Sequence, residues 1–342
     1  MGEKKLSPLK NNHKIAIDAM GGDHAPDNVV AGAVEAVKEY DSRLILVGKE
    51  DVIKKELTKY SFNGSNIEIR HAQSIVEMDE SPSMALRRKK DSSIRVANEL
   101  VKEGETKAVI SAGNTGAAMA FSKIVLGSLR GIERPAIAAL SPSKTGITLL
   151  LDVGANVDCS ARQLSQFAIM GSVYADDIMG IRNPRVGLLN IGTEEIKGGE
   201  LTKEAYGLLK KLKLNFIGNV EGRDIYNGTV DVVVCDGFIG NVGLKISEGV
   251  ADTITYFLKE EINKGLLGKL GFLLLRSSLK GIRKKIDYSE YGGAPLLGVN
   301  GISIICHGGS SAKAIKNAIR VAHECVSHKL NEHLLRNIER AL

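Results

Sequence analysis

Tryptophan is absent from this 342-residue sequence, and aromatic residues make up only 4% of it. Single-stranded nucleic acid is usually gripped by stacking bases on aromatic side chains, so nucleic acid is a poor fit as a partner. Cysteine is nearly as scarce. Cys159, Cys235, Cys306 and Cys325 stand far apart with no C-x-x-C pair, a spacing that suits reduced, mostly buried thiols in a cytosolic enzyme and not a disulfide or zinc framework. Long apolar runs are missing too. A membrane-spanning helix needs roughly 20 apolar residues, and the nearest stretch is broken by Lys269 and Arg276. The start of the chain carries Lys4, Lys5 and Lys10 with no apolar segment behind them, so residues 1–13 read as a flexible polar tail and not a signal peptide. A cytoplasmic protein is expected.

What is present is the balance of a soluble globular chain, 43% hydrophobic and 25% charged, at a length that suggests two domains. The 37 glycines point to tight turns and close backbone approaches. The net charge of +6 is local: Lys264, Lys269, Arg276, Lys280, Arg283, Lys284 and Lys285 lie in one segment without an acid, and removing those seven from the 46 basic residues leaves 39 against 40 acidic. At 100° per residue, Lys269, Arg276, Lys280 and Arg283 share a helical sector about 60° wide. Leu270, Leu274, Leu275, Ile282 and Ile286 spread over the other side. The segment reads as a basic amphipathic helix, within a helical hairpin over about residues 252–286. It suits either a core or dimer-interface helix with a solvated charged edge or a surface for anionic lipid and an acidic protein, with Leu266 and Leu267 at the tip.

Apolar, β-branched runs predict strands at Lys14 to Asp18, Arg43 to Val47, Ile67 to His71, Ala108 to Ser111, Ala136 to Leu140 and Ile147 to Val153. The series continues at Gly187 to Ile191, Asn215 to Val220, Asp231 to Cys235 and Ile302 to Cys306. Helical patterns between them, such as Asn28 to Tyr40 and Ser92 to Glu103, imply an α/β fold whose mostly parallel sheet is covered on both faces. The last strand and the helix from Ala312 to His328 are expected to rejoin the first domain. This gives residues 14–140 with 297–342 as one α/β domain and 141–296 as a second, inserted one.

Open α/β sheets bind ligands beyond the carboxyl ends of their strands. Here those ends are Gly-rich and polar: Ala19 to Asp23, Ala112 to Gly116, Gly154 to Asn156, Gly192 to Glu194, Gly237 to Asn241 and His307 to Ser311. Gly113, Asn114, Thr115 and Gly116 precede a helix, so free N–H groups and two side-chain donors there suit a phosphate; a Thr-capped turn explains the same residues. His307 to Ser311 offers a second nest, or again a cap. Asp18, Asp23 and His24 have the chemistry of a metal or acid–base cluster, but Pro26 and Asn28 behind them also spell an ordinary helix start. Glu194, Glu195 and Lys197 beside Gly198 and Gly199 form either a solvated loop or a functional one, with Lys197 as an electrophilic helper. Asn156, Asp236 and Asn241 are polar groups closing apolar strands, where burial requires a partner or a ligand. The dinucleotide fingerprint, the nucleotide P-loop and the serine-hydrolase elbow are absent. His323-Glu324 and His328 miss the zincin spacing.

These motifs together resemble the acyl-carrier-protein-dependent phosphate acyltransferases of bacterial phospholipid synthesis (PlsX type). The resemblance runs from about Lys14 to Arg320. It rests on Ile17 to Asp23, Ser111 to Gly116, Leu151 to Asn156, Asn190 to Glu194, Gly218 to Gly222, Cys235 to Asn241 and Tyr291 to Gly298. It implies two three-layer α/β/α domains like those of phosphotransacetylases and isocitrate- or isopropylmalate-type dehydrogenases, and a homodimer. It further implies reversible transfer of a fatty acyl group from acyl carrier protein to inorganic phosphate, peripheral attachment to the inner face of the membrane, and a downstream glycerol-3-phosphate acyltransferase as a further partner.

The residues themselves suggest how such a reaction would run. Phosphate would sit on the Asn114–Thr115 loop with a cation from across the cleft. Backbone N–H groups of Gly308 to Ser310 would receive the oxyanion, and His307 would protonate the departing thiol. That scheme needs neither metal nor cofactor. A decarboxylating dehydrogenase on the same fold would instead need a nicotinamide and a carboxylate-held metal. A membrane scaffold without catalysis would leave the six polar loops unexplained.

Overall fold

The computed structural model describes residues 13–62, 64–286 and 288–341. The side chains of Leu266, Leu267, Lys280 and Arg283 lie outside the described ones. Among the described residues the strands are β1 (Lys14–Asp18), β2 (Arg43–Gly48), β3 (Ile67–His71), β4 (Ala108–Ser111), β5 (Ala136–Ser143), β6 (Gly146–Leu151), β7 (Val186–Leu189), β8 (Phe216–Val220), β9 (Val232–Val234), β10 (Ala294–Leu297) and β11 (Ile302–Ile305). The helices are α1 (Asp27–Tyr40), α2 (Glu50–Leu57), α3 (Pro82–Arg88), α4 (Ser93–Lys102), α5 (Thr115–Leu126), α6 (Ala161–Asp177), α7 (Glu200–Leu209), α8 (Asp224–Asn227), α9 (Gly237–Asn263), α10 (Leu266–Ile286), α11 (Ala312–Ser327) and α12 (Leu330–Ala341).

The strands hydrogen-bond in the order β3-β2-β1-β4-β11-β10-β5-β6-β9-β7-β8. Pairing is parallel except around β5 and β10, where β10–β11, β10–β5 and β5–β6 run antiparallel. The last strand, β11, returns to lie against β4 in parallel register, with Ile302 opposite Ala108 and Ile305 opposite Ser111.

Side-chain alternation along the strands explains why both faces are covered. Ile15 and Ile17 of β1, Leu44 and Leu46 of β2, Leu149 and Leu151 of β6 and Val232 and Val234 of β9 enter one core with α1, α6 and α11. Their neighbours Ala16, Ile45 and Val47 pack with α4. Leu150 and Val233 pack with Phe121 of α5. β1, β3 and β4 coincide with the sequence reading, the ends of the other expected strands differ from it by at most three residues, and β10 is additional to it. It is four residues long and contains Pro295, which has no N–H for the ladder, and glycines flank it on both sides.

One buried group ties this core to pH. His323 of α11 is fully buried; its Nε2 shares a 3.0 Å hydrogen bond with Ser42 Oγ, and its Nδ1 has no partner among the described residues. Burial, with a smaller push from His13, holds its pKa down at about 4, against 6.5 for the free side chain. The unfolded chain therefore binds this proton first. The neutral ring's contribution is fully present above pH 6.5 and is lost as pH falls towards 4, on the order of 3 kcal/mol in all. The carboxyls of Asp18 and Asp152, raised by burial, act in the opposite sense, so a variant isolates the histidine. His323→Gln should flatten the acid limb of the stability curve between pH 6.5 and 4. Urea denaturation series with superimposable pH dependence would remove His323 from that role.

Candidate functional site

Two buried carboxylates organise the carboxyl ends of the strands. Asp18 closes β1 and Asp152 follows β6, and neither has a cationic partner among the described residues. Asp18 accepts from Ser111 Oγ at 2.8 Å and from the Met20 N–H at 3.3 Å, while Gly113 N donates to the same Ser111 Oγ at 3.1 Å. The β1 and β4 loops thereby share one hub. They also touch: a Cβ on Gly21 would come within 2.5 Å of Asp18 Oδ2 and 2.8 Å of Gly113 N. The β11 loop joins them, since Asp23 N donates to Gly308 O at 2.9 Å and Asn28 Nδ2 to Ser310 O at 3.0 Å.

Asp152 does the same for the second set. Its Oδ1 accepts from Ile137 N (2.9 Å) and Ala155 N (3.1 Å). Its Oδ2 accepts from Asn156 N (2.7 Å) and Asn156 Nδ2 (3.0 Å). Gly237 N then donates to Asn156 O at 2.7 Å, so the β6 loop is locked to the start of α9. Asp236 caps α9 through Ile239 N at 2.8 Å, and Asn241 packs over Gly154. Burial raises both carboxyl pKa values, while the hydrogen bonds they accept pull the other way.

A cavity of about 170 Å³ lies between the two sets, lined by Gly116, Met119, Ala120, Lys123, Arg134, Pro135, Ala155, Asn156 and Leu296. Its wall is the face of α5 defined by positions i, i+3, i+4 and i+7, starting at Gly116. Lys123 and Arg134 had no signal in the loop motifs, because they lie on a helix face and before a strand.

Several expectations need correction. Asn114 is no free donor. Its Oδ1 caps α5 by accepting from Ala117 N at 3.0 Å, and its Nδ2 donates to the carbonyls of Met78 (2.8 Å) and Glu80 (2.9 Å). The cap is therefore Asn114 and not Thr115, which is exposed at the first position of the helix. In the β11 loop Gly309 N donates to His307 Nδ1 at 3.1 Å and Ser310 N to His307 O at 3.0 Å, so two of the three expected oxyanion donors are engaged within the loop. The first of these bonds fixes the tautomer: the neutral ring carries its proton on Nε2. Asp18, Asp23 and His24 do not converge, and among the described residues no group of three His, Cys, Asp or Glu is placed to hold a metal.

Lys197 and Glu194 sit on the exposed loop after β7, six places from β4 in the strand order. That loop is pinned by Asn190 Nδ2 to Lys197 O (3.0 Å) and Asn219 Nδ2 to Glu194 O (2.9 Å). Lys269 and Arg276 belong to α10.

The two tasks of Asn114 can be separated. Asn114→Ala should cost about 1–2 kcal/mol through the lost cap. Asn114→Asp retains the acceptor and most of that stability, but loses the donors that hold residues 77–80 and adds a negative charge beside the turn. Thermal melts in which both variants fall equally would show that the cap is not the stabilising element.

A model of the family described as fatty acid synthesis protein matches residues 13–333. The chain is 55% identical over 326 residues to the phosphate acyltransferase of Geobacter sulfurreducens, covering 95% of this chain and 94% of that protein. It is also 55% identical over 326 residues to that of Pelotomaculum thermopropionicum, covering 95% of both. Among solved structures it is similar to a phosphotransacetylase from Streptococcus pyogenes, with a TM-score of 0.64 at 19% identity over 94% of this chain and 96% of that one. The EutD phosphotransacetylase from Staphylococcus aureus gives 0.60 at 17% over 92% and 95%. At these identities the structural likeness concerns the fold.

Proposed function

The chain belongs to the fatty acid synthesis protein family, and from that membership we propose that it is a phosphate acyltransferase moving a fatty acyl group reversibly between acyl carrier protein and inorganic phosphate. The observation that carries the reading is 55% identity to a phosphate acyltransferase across 95% of the chain. In the forward step a phosphate oxygen adds to the thioester carbonyl carbon, the tetrahedral oxyanion collapses, the carbon–sulfur bond breaks and the thiolate leaves with a proton.

The backbone N–H groups of Thr115 and Gly116, at the positive end of α5, bind and orient phosphate. The Gly308 N–H faces the developing oxyanion, and those of Gly309 and Ser310 would have to leave their bonds to His307 to join it. His307 directs its Nε2–H at the departing sulfur as a hydrogen-bond donor, and the proton the thiol gains is the one that hydrogen phosphate loses. Lys197 adds positive charge from the β7 loop, where Glu194 lies, and Asp23, Asn156, Asp236 and Asn241 shape the cleft. The two loop sets are assigned to separate α/β units, residues 14–140 with 297–342 and residues 141–296; the position of β11 and β10 between β4 and β5 favours this division. Purified protein supplied with long-chain acyl carrier protein and phosphate should release free carrier thiol and form acyl phosphate. Thiol release that is unchanged when phosphate is omitted would overturn the reading.

We assign the α9–α10 hairpin to association at the inner face of the cytoplasmic membrane and between two copies of the chain. Within the 27 residues of α9 only Gly237 and Gly240 are buried. Phe238, Val242, Ile246, Val250, Ile254 and Leu258 recur every fourth residue and are all exposed. No helix is long and apolar enough to cross a membrane among the described residues, so lipid contact would be peripheral. The tip leucines Leu266 and Leu267, with the basic stripe of Lys269, Arg276, Lys280 and Arg283, should give salt-sensitive binding to anionic vesicles. Changing both leucines to Glu should abolish co-sedimentation while soluble turnover persists; equal co-sedimentation of wild type and double variant would free the tip from this role.

A further inference from the structure

We propose that Lys123 and Arg134, at the end of the cavity away from the α5 N-terminus, form a second site for a phosphate group, distinct from the one at Thr115 and Gly116. The proposal rests on the phosphate acyltransferase reading for its choice of anion, and on the following geometry for the site itself.

Both cations line the same cavity of about 170 Å³, and no carboxylate does. The nearest acid in sequence, Glu133, is turned away and paired with Arg162 at 2.9 Å. Neither Lys123 nor Arg134 has an ion pair among the described residues. Partial desolvation against the cavity wall, and then repulsion from Arg134, lower the pKa of the otherwise exposed Lys123, as expected for two like charges set together without a counter-ion. Such a pair is unfavourable until an anion enters between them, and a tetrahedral oxyanion can accept from a guanidinium and an ammonium at once.

The rest of the wall is selective. Met119, Ala120, Pro135 and Leu296 make it apolar between the cations and Gly116. Gly116 and Lys123 stand seven positions apart on the helix, about 10 Å along the axis. The cavity thus has a positive pole at each end and an uncharged span between them, which suits a substrate whose reacting centre and phosphate are joined by an uncharged arm. The phosphodiester of a carrier-bound pantetheine arm has that form; inorganic phosphate held before transfer has the same headgroup chemistry.

The experiment compares wild type with Lys123→Gln, Arg134→Gln and the double variant, and with Lys123→Arg as the conservative change. Both residues are exposed, so folding should be unaffected, and a thermal melt checks it. Equilibrium binding of inorganic phosphate and of 4′-phosphopantetheine is measured directly, without turnover. KM is measured for acyl carrier protein and for an acyl-pantetheine lacking the phosphate. Loss of roughly 10- to 100-fold in one of the two phosphate ligands, largely restored in Lys123→Arg, is expected. A rise in the carrier KM without a rise for acyl-pantetheine identifies the arm; a rise in the phosphate KM with both donors identifies inorganic phosphate. If the double variant binds both phosphate ligands as tightly as wild type does, the site is overturned. That result is distinguishable from failure of the functional reading, which would appear as wild type making no acyl phosphate whatever its phosphate binding.

Discussion

Asp152→Ala should unfold the second loop set and leave little folded protein at 37 °C. The carboxylate accepts four hydrogen bonds, from Ile137 N, Ala155 N, Asn156 N and Asn156 Nδ2, in a position with no exposed surface. Alanine removes every acceptor at once and strands buried backbone donors, each a desolvation cost of about 1–3 kcal/mol. Even with partial relaxation, about 4 kcal/mol is a large share of the roughly 5–15 kcal/mol that holds a domain folded. Water cannot easily take the place of the carboxylate, because Gly237 packs so closely that even its missing Cβ would lie 2.7 Å from Asp152 Oδ2. Asp152→Asn should also fail, since its amide NH₂ would face N–H donors. Asp18→Asn should be milder: its side-chain partners are the Ser93 and Ser111 hydroxyls, which can rotate to accept instead of donate. Denaturant midpoints are the measurement, and an Asp152→Ala protein within 1 kcal/mol of wild type would show that the hub is dispensable.

That contrast also shows what the sequence could and could not reveal. Strands such as Ile147 to Val153 were legible because burial on both faces leaves an unbroken apolar run, and the Gly-rich loops were legible because each follows such a run. β10 was not, because Pro295 and its flanking glycines read as a turn, and only pairing with β5 and β11 makes it a strand. Asp152 lies within the Leu151 to Asn156 motif, yet nothing local distinguishes a carboxylate that binds ligand from one that binds backbone; its four donors come from residues up to 15 positions away. Asn114 was read as a donor for the same reason, since its partners at residues 78 and 80 are brought to it by the fold. Lys123 and Arg134 were missed because their meaning arises from a cavity, and a helix face carrying one lysine has no pattern of its own.

Gly21→Ala should remove at least 99% of acyl phosphate formation while leaving a folded protein. The substitution places a methyl 2.5 Å from Asp18 Oδ2, 2.8 Å from Gly113 N and 2.9 Å from Gly113 Cα. Backbone cannot swing aside as a long side chain would, so the β1 and β4 loops must separate. The overlap is several tenths of an ångström to about 1 Å against ordinary contact, and displacement of about 1 Å at a reacting centre costs on the order of 100-fold in rate. Stability should fall by about 1–3 kcal/mol, the usual range for overpacking, which a domain tolerates. Because Gly113 opens the turn that leads to Thr115 and Gly116, the kinetic loss should appear in kcat and in the phosphate KM, with the carrier KM changing least. Gly199 is the matching control: it has φ −80° and ψ −178°, and nothing lies within 4 Å of a Cβ built there, so Gly199→Ala should retain near-normal kinetics. A Gly21→Ala enzyme with wild-type kcat/KM would mean that the meeting of these two loops does not position the phosphate, and the chemistry would have to be sought at the β6 and β9 loops instead.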